Sequence, residues 1–254
     1  MSVVETSLTD GVLTITLTDE ERRNSLSAQL MRELIDACEA ADTDPAVRVV
    51  VLTNSGSVFC AGANLTERSF AGGGPAPNPA DLFGRFARSP KPYVGRIAGH
   101  CVAGGMGLAA AMDISIGLED AKFGFTEVRV GVAPAVISVV CLPKLRAADA
   151  RAAFLRGNRF TGAEAAAMGL INAAVPADRL DAEVHAAVAD LLAGGPGALA
   201  AAKRLLADVP AMSRDDAFAW TSEFSASLFR SDEAKEGMTA YLEKRLPPWA
   251  PKQT

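Results

Sequence analysis

Apolar and polar residues alternate along Val3–Leu8 and again along Val12–Leu17, on either side of Asp10-Gly11. Period-two alternation flanking Asp-Gly predicts a β-hairpin with one face buried. From Ser27 the period changes. Leu30, Met31, Leu34, Ile35 and Cys38 fall at helical spacing behind a good N-cap residue, which predicts a helix to about Ala41. Val47–Thr53 is an apolar run of the kind a strand covered on both faces carries. Strand, helix, strand predicts parallel pairing, because a crossover helix returns the chain to the same edge of the sheet.

Further along, the short apolar run at Val58–Cys60 ends in the small residues Ala61-Gly62-Ala63, with Asn64-Leu65 behind them. Ala71–Pro79 (A-G-G-G-P-A-P-N-P) cannot hold regular structure and reads as a mobile surface loop. A helix is expected around Asp81–Arg88. A strand-like run, Tyr93–Ala98, then feeds Ala103-Gly104-Gly105 and a helix of almost nothing but small residues. Another apolar run covers Ile114–Gly117, followed by Lys122-Phe123-Gly124-Phe125-Thr126-Glu127. Beyond Pro134 the pattern is helical over Ala147–Leu155, Gly162–Met168, Asp178–Leu192, Ala198–Leu206 and Asp215–Leu228. Ile171–Val175 alone reads as a late strand. The layout is β/α first and all-α last. Its best boundary is Gly194-Gly195-Pro196-Gly197, which divides a core of residues 1–194 from a helical region of residues 195–254. No sequence repeat of fixed period stands out.

Composition removes several function classes. With 254 residues and a net charge of −5, there is room for one substantial core and no basic face to neutralise phosphates, so no nucleic-acid partner is expected. The longest apolar run, Val132–Leu142, is broken by Pro134 and too short to span a bilayer. The start M-S-V-V-E-T-S-L lacks the pattern of a signal peptide, and the four cysteines show no paired spacing. A soluble, cytoplasmic protein without a membrane partner is expected. His100 and His185 stand at no metal-ligand spacing, so no metal site is expected either.

The chemistry left to consider sits at turns. Free N–H groups at the start of the helix opening at Gly104 favour negative charge, so an enolate oxygen or a phosphate suits them. Equally, Gly104, Gly105 and Gly107 suit a buried helix that packs tightly. Gly105-x-Gly107-x-x-Ala110 matches a dinucleotide fingerprint, but no clear acidic residue follows at ribose distance. If the strands before Ala61–Leu65, Ala103–Gly105 and Thr126-Glu127 are neighbours, the three turns share one end of a sheet. Two backbone N–H groups and one carboxylate then suit carbonyl-directed chemistry: the donors hold an oxyanion while Glu127 moves a proton. A solvated loop glutamate is the plainer reading of Glu127. His100 reads as a histidine at a strand end, and Phe70, Phe83 and Phe86 suit either an acyl pocket or ordinary core packing.

Five ordered segments carry a resemblance. They are Arg23-Asn24-Ser25-Leu26; Phe59-Cys60-Ala61-Gly62-Ala63-Asn64-Leu65; Ala103-Gly104-Gly105 with Asp113; Phe123-Gly124 through Glu127 and Gly131 to Pro134; and Ser231–Met238 through Glu243-Lys244-Arg245. Together they resemble the crotonase, or enoyl-CoA hydratase/isomerase, superfamily over essentially the whole chain. The resemblance implies an α/β spiral of β-β-α turns with a C-terminal helical trimerisation region, assembled as a homotrimer or a dimer of trimers. It implies an acyl-CoA thioester substrate, whose CoA is part of the substrate and no separate cofactor. The N–H groups of Ala63 and Gly104 would form the oxyanion hole and Glu127 would be the catalytic acid/base. Arg23, Ser25, Leu26, Ala61, Asn64 and Leu65 would lie along CoA or substrate, and Lys244 of the partner subunit would reach the CoA phosphates.

Two departures bear on the activity. Hydratases of the family usually carry a second Glu where this chain has Gly107, and the A-G-A-D turn has Asn64 in place of Asp. Hydration is simplest with two carboxylates, whereas double-bond isomerisation needs one base. Against that, Gly131–Ser138 and the G-x-G-L of Gly105–Leu108 are similar to a hydratase branch acting on branched or carboxylated enoyl-CoAs. The expected activity is therefore a hydro-lyase, an enoyl-CoA hydratase acting on trans-2-enoyl-CoA. An enoyl-CoA isomerase is the first alternative, a non-catalytic acyl-CoA-binding protein the second, and a nucleotide-binding protein the last.

Overall fold

The computed structural model describes residues 2–67 and 77–251. The predicted hairpin forms from β1 (Val4–Thr9) and β2 (Val12–Leu17), antiparallel, with Thr9 opposite Val12. Its two turn residues, Asp10 and Gly11, both have positive φ, as a tight hairpin turn demands. Helix α1 (Ala28–Thr43) starts where expected, with the Ser27 side chain accepting from the Leu30 N–H. Strand β3 (Val49–Asn54) then pairs parallel to β2. It is buried along its whole length, and its side chains alternate between two cores. Val50 and Leu52 face the main core, while Val49 and Val51 join Leu180, Val184 and Val188 of α7 (Leu180–Ala193) on the other side.

From β3 the chain makes one move three times. β3 lies in the larger sheet, and after a corner at Gly56 the strand β4 (Val58–Cys60) lies in a smaller one. β5 (Tyr93–Ile97) and β6 (His100–Val102) repeat this, as do β7 (Ile114–Leu118) and β8 (Lys122–Gly124). The larger sheet has the order β1-β2-β3-β5-β7-β10, with β10 at Ala173–Val175; the smaller has β4-β6-β8-β9, with β9 at Phe160–Thr161. Because β4, β6 and β8 are parallel, the chain leaves all three at the same end of the small sheet. After those exits come α2 (Pro79–Arg88), α3 (Gly104–Ala111) and α4 (Ala135–Cys141). This is the expected β-β-α spiral.

One expectation is corrected here. The strand over Tyr93–Ala98 does not itself feed Ala103; it ends at Ile97, and β6 takes over in the other sheet. The crossing comes at Gly99, where a Cβ would stand 2.5 Å from the Ser57 carbonyl oxygen. Helix α2 also begins earlier than expected, at Pro79 behind an Asn78 cap. Most of the expected 71–79 loop, and Phe70, lie outside the described residues.

The chain continues as α5 (Ala147–Arg156), α6 (Gly162–Ala167), α7, α8 (Pro196–Asp208), α9 (Arg214–Phe229) and α10 (Asp232–Leu242). The break between α7 and α8 falls at the glycine-rich stretch around residue 195. There the Arg48 guanidinium donates to the carbonyls of Leu192 and Gly194, and also to that of Trp249. Helix α8 is fixed to the core by Lys203, which is 7% exposed. Its ammonium donates to the carbonyls of Phe86 and Lys91, each at 2.8 Å, and to Asp113 Oδ2 at 2.7 Å, so all three donors are matched. Among the described residues no single helix is long and apolar enough to cross a membrane.

Candidate active site

A cavity of about 740 Å³ opens where the chain leaves the small sheet. Its first wall is the turn after β4. Gly62 has φ +87°, and a Cβ there would meet Ala103 Cβ at 2.6 Å and Gly104 N at 2.9 Å. Only glycine lets the first turn lie against the second. Arg23–Leu26 run alongside: the Ala61 N–H donates to the Arg23 carbonyl and the Leu26 N–H to the Gly62 carbonyl.

The second wall is the start of α3. Ala103 takes φ +49°, ψ −122°, a conformation rare for a residue with a side chain, and its N–H donates to the Gly124 carbonyl of β8. The chain is thereby turned so that Gly104 faces the cavity. A Cβ on Gly104 would stand 3.6 Å from Ala63 N, so the two backbone segments are close neighbours. Neither the Ala63 N–H nor the Gly104 N–H has an acceptor among the described residues. At a helix start such donors are left over by geometry.

The third wall is the 3₁₀ turn Glu127–Val130 after β8. The Glu127 carboxyl lines the cavity, and its Oε2 is buried without a hydrogen-bond partner among the described residues. Burial pushes its pKa up, opposed by a hydrogen bond from its own backbone N–H. It is the only acid among the lining residues described.

The three glycines of α3 separate into different duties. Gly104 lines the cavity. Gly105 lies under β4, where a Cβ would meet the Cys60 carbonyl oxygen at 2.5 Å. Gly107 is covered by Ile137 of α4 and Phe83 of α2: a Cβ would stand 2.4 Å from Ile137 Cγ2 and 2.9 Å from Phe83 Cε1. The space that the first carbon of a second acid's side chain would need is filled by hydrocarbon. The two leading glycines of the dinucleotide fingerprint therefore meet protein.

Of the other sequence candidates, Leu26, Ala61 and Leu65 line the cavity, whereas Arg23, Ser25, Asn64 and Lys244 stand outside its lining. Asn64 is buried and its amide donates to Glu67 Oε1, while its Oδ1 accepts from the N–H and hydroxyl of Thr66. Glu67 in turn accepts from the Ala28 N–H at the head of α1. An amide at position 64 thus faces a carboxylate that an aspartate would repel. Phe83 lines the cavity; Phe86 instead packs edge-on against Tyr93. His100 begins β6 outside the lining, with Nδ1 accepting from the Lys122 N–H. The four cysteines are free and buried, and burial pushes the thiols of Cys60 and Cys141 up to about 12, which keeps them protonated. No group of three or more metal-ligating side chains occurs among the described residues. Lining residues that sequence reasoning did not single out for the site include Thr126, Arg129, Asn158 and Arg159. The only local signal near Asn158 was Gly157, which ends α5 in the left-handed conformation.

Known proteins resemble this chain throughout. The sequence pattern of the family described as Enoyl-CoA hydratase/isomerase matches residues 7–252. Enoyl-CoA hydratase EchA19 of Mycobacterium tuberculosis (strain ATCC 25618 / H37Rv) is 33% identical over 246 residues, covering 92% of this chain and 91% of that protein. Mevalonyl-coenzyme A hydratase sidH of Aspergillus fumigatus is 31% identical over 255 residues, covering 96% and 93%. A crystal structure of an enoyl-CoA hydratase from Mycobacterium tuberculosis H37Rv superposes with a TM-score of 0.90 at 29% identity, over 98% of this chain and 99% of that one. By sequence and by fold, this chain belongs to the enoyl-CoA hydratase/isomerase, or crotonase, family.

Proposed function

We propose that the protein is an enoyl-CoA hydratase that adds water across the double bond of a trans-2-enoyl-CoA. The observation that carries this reading is a buried carboxyl oxygen on Glu127, in the same cavity as the turns that bear the N–H groups of Ala63 and Gly104, all three without a hydrogen-bond partner among the described residues. The thioester oxygen accepts from both N–H groups, which makes C3 electrophilic. The Glu127 carboxylate takes a proton from water as the water oxygen bonds to C3, and the displaced electron pair moves to the thioester oxygen. The two donors stabilise that enolate oxygen where its charge develops. The protonated Glu127 then returns a proton to C2 and the enolate collapses. One carboxyl performs both transfers because Gly107 leaves no second acid and Ile137 and Phe83 fill its place. A pKa raised by burial suits a group that must take and give a proton near neutral pH.

In this reading Leu26, Ala61 and Leu65 border the thioester, and Arg23, Ser25 and Asn64 flank the CoA outside the acyl cavity. No cofactor is required. A homotrimer or dimer of trimers is supported by the exposed Phe218, Phe229, Tyr241 and Leu242 on α9 and α10, and would bring Lys244 of the partner subunit to the CoA phosphates. Sedimentation at micromolar concentration tests the oligomer. The lone carboxylate also favours a second reading, an enoyl-CoA isomerase that moves a proton from one carbon to another. Turnover of 2-enoyl- and 3-enoyl-CoA in ¹⁸O-water separates the two. Label in a 3-hydroxyacyl product supports hydration; a moved double bond without label supports isomerisation and overturns the hydratase reading.

A further inference from the structure

The turn that carries Glu127 has only four residues, ends at a left-handed Gly131, and buries none of its members fully. A segment so short has little internal reason to keep one geometry, since a single 3₁₀ turn closes few hydrogen bonds. Among the described residues, the side-chain hydrogen bonds that join it to the rest of the protein come from Arg129, two residues beyond the carboxyl. The Arg129 Nε donates to the Gly157 carbonyl at 2.7 Å, and its terminal nitrogen donates to the Arg156 carbonyl at 3.3 Å. Those carbonyls belong to the C-terminal end of α5, where the last turn has acceptors with no partner inside the helix and the dipole places negative charge. Gly157 closes that end at φ +57°, and a Cβ there would meet Val128 Cγ2 at 2.6 Å and Arg129 Cγ at 3.2 Å. The helix end and the turn are therefore in direct contact, with the guanidinium as the fork between them. On its own side the turn is closed by the Val132 N–H donating to the Glu127 carbonyl and the Arg129 N–H donating to that of Thr126.

We propose that Arg129 is a positioning residue: by clamping the Glu127–Val130 turn to the C-terminal carbonyls of α5, it sets where the Glu127 carboxyl stands relative to the substrate carbons. This inference rests on the hydratase reading of Glu127. A planar guanidinium reaches two carbonyls at once; an ammonium reaches them only as a point charge. Arg129 acts through the turn and takes no part in proton transfer.

The test uses the full-length protein with Arg129→Ala, Arg129→Lys and Glu127→Gln, and the pair Arg129→Ala/Glu127→Gln. With crotonyl-CoA as substrate, Arg129→Ala is expected to lower kcat about thirtyfold while KM changes less than about threefold, because misplacing a proton-transfer group costs the chemical step rather than binding. Arg129→Lys is expected to recover part of the loss. In the Glu127→Gln background the alanine change is expected to cost almost nothing further, since residues acting as a unit are non-additive. A folded Arg129→Ala protein with kcat within about twofold of wild type, or an equal loss with and without the Glu127 carboxyl, overturns the proposal. Amide hydrogen exchange supplies a readout independent of turnover. The Val132 N–H is expected to exchange at least about tenfold faster in Arg129→Ala while amides of β3 are unchanged; unaltered exchange at Val132 also overturns the clamp. Should the wild-type protein turn over no enoyl-CoA, the hydratase reading fails by itself, and the exchange result still decides whether Arg129 holds the turn.

Discussion

Lys203 and Glu127 are both ionisable side chains drawn away from water, and the protein treats them in opposite ways. Around Lys203 every donor is matched, by two carbonyls and the Asp113 carboxylate, which itself also accepts from the Tyr93 N–H. Around Glu127 one carboxyl oxygen has no partner among the described residues. Burial pushes the Lys203 pKa down, while Asp113 opposes the shift; at Glu127 burial pushes up and only its own N–H opposes. A buried charge with all its hydrogen bonds satisfied can hold a helix in place. One left wanting a partner is costly to the fold and useful to a ligand, and such groups gather at sites of chemistry. The same contrast holds for backbone donors: the Ala103 N–H is spent on β8, while those of its neighbour Gly104 and of Ala63 stay free among the described residues.

The comparison can be broken from either side. The largest effect is expected from Glu127→Gln, which keeps size and removes the titratable proton. Turnover of a trans-2-enoyl-CoA should fall at least about a hundredfold, with acyl-CoA affinity by calorimetry little changed. Full activity in that variant would remove Glu127 from the mechanism. Next comes Lys203→Met, which takes the buried cation from Asp113 and the ammonium donors from the Phe86 and Lys91 carbonyls. Urea unfolding should show a loss of about 3 kcal/mol, whereas the folded fraction keeps its turnover. A smaller change, about 2 kcal/mol of destabilisation, is expected from Gly107→Glu, because its side chain must displace Ile137 and Phe83; faster hydration in that variant would contradict the filled volume described here.

The smallest effect concerns pH. A carboxyl whose pKa is raised on folding binds its proton more tightly in the native state, so stability falls as pH rises from the ordinary Glu range to the raised value. Wild type should therefore lose stability relative to Glu127→Gln as pH climbs through the range above the ordinary Glu value, measured by urea midpoints. A constant difference across that range would show that Glu127 titrates normally.

Much of this was readable from residues alone, and the failures have physical causes. The hairpin, α1 and β3 follow from strong periodicity and proper caps. The corner between β5 and β6 was missed because only Gly99 and His100 mark it, and the apolar residues run on from Ile97-Ala98 to Cys101-Val102 on either side. Without a sequence repeat the three β-β-α coils were invisible from periodicity, since their connections differ in length; the family resemblance supplied them. Ala63, Gly104 and Glu127 stood out because backbone donors need small neighbours and one acid remained. The residues that shape and brace them, Ile137, Phe83 and Arg129, act across gaps of 24 to 30 positions, over which local patterns carry no information.

The hydrocarbon seated over Gly107 also constrains history. A lineage moving toward a two-acid site meets a packing cost whichever position changes first: a glutamate at 107 crowds Ile137 and Phe83, and smaller residues at 137 and 83 leave a void until position 107 changes as well. Contact thus couples positions 83, 107 and 137, so a second carboxylate is reached most cheaply when all three alter together.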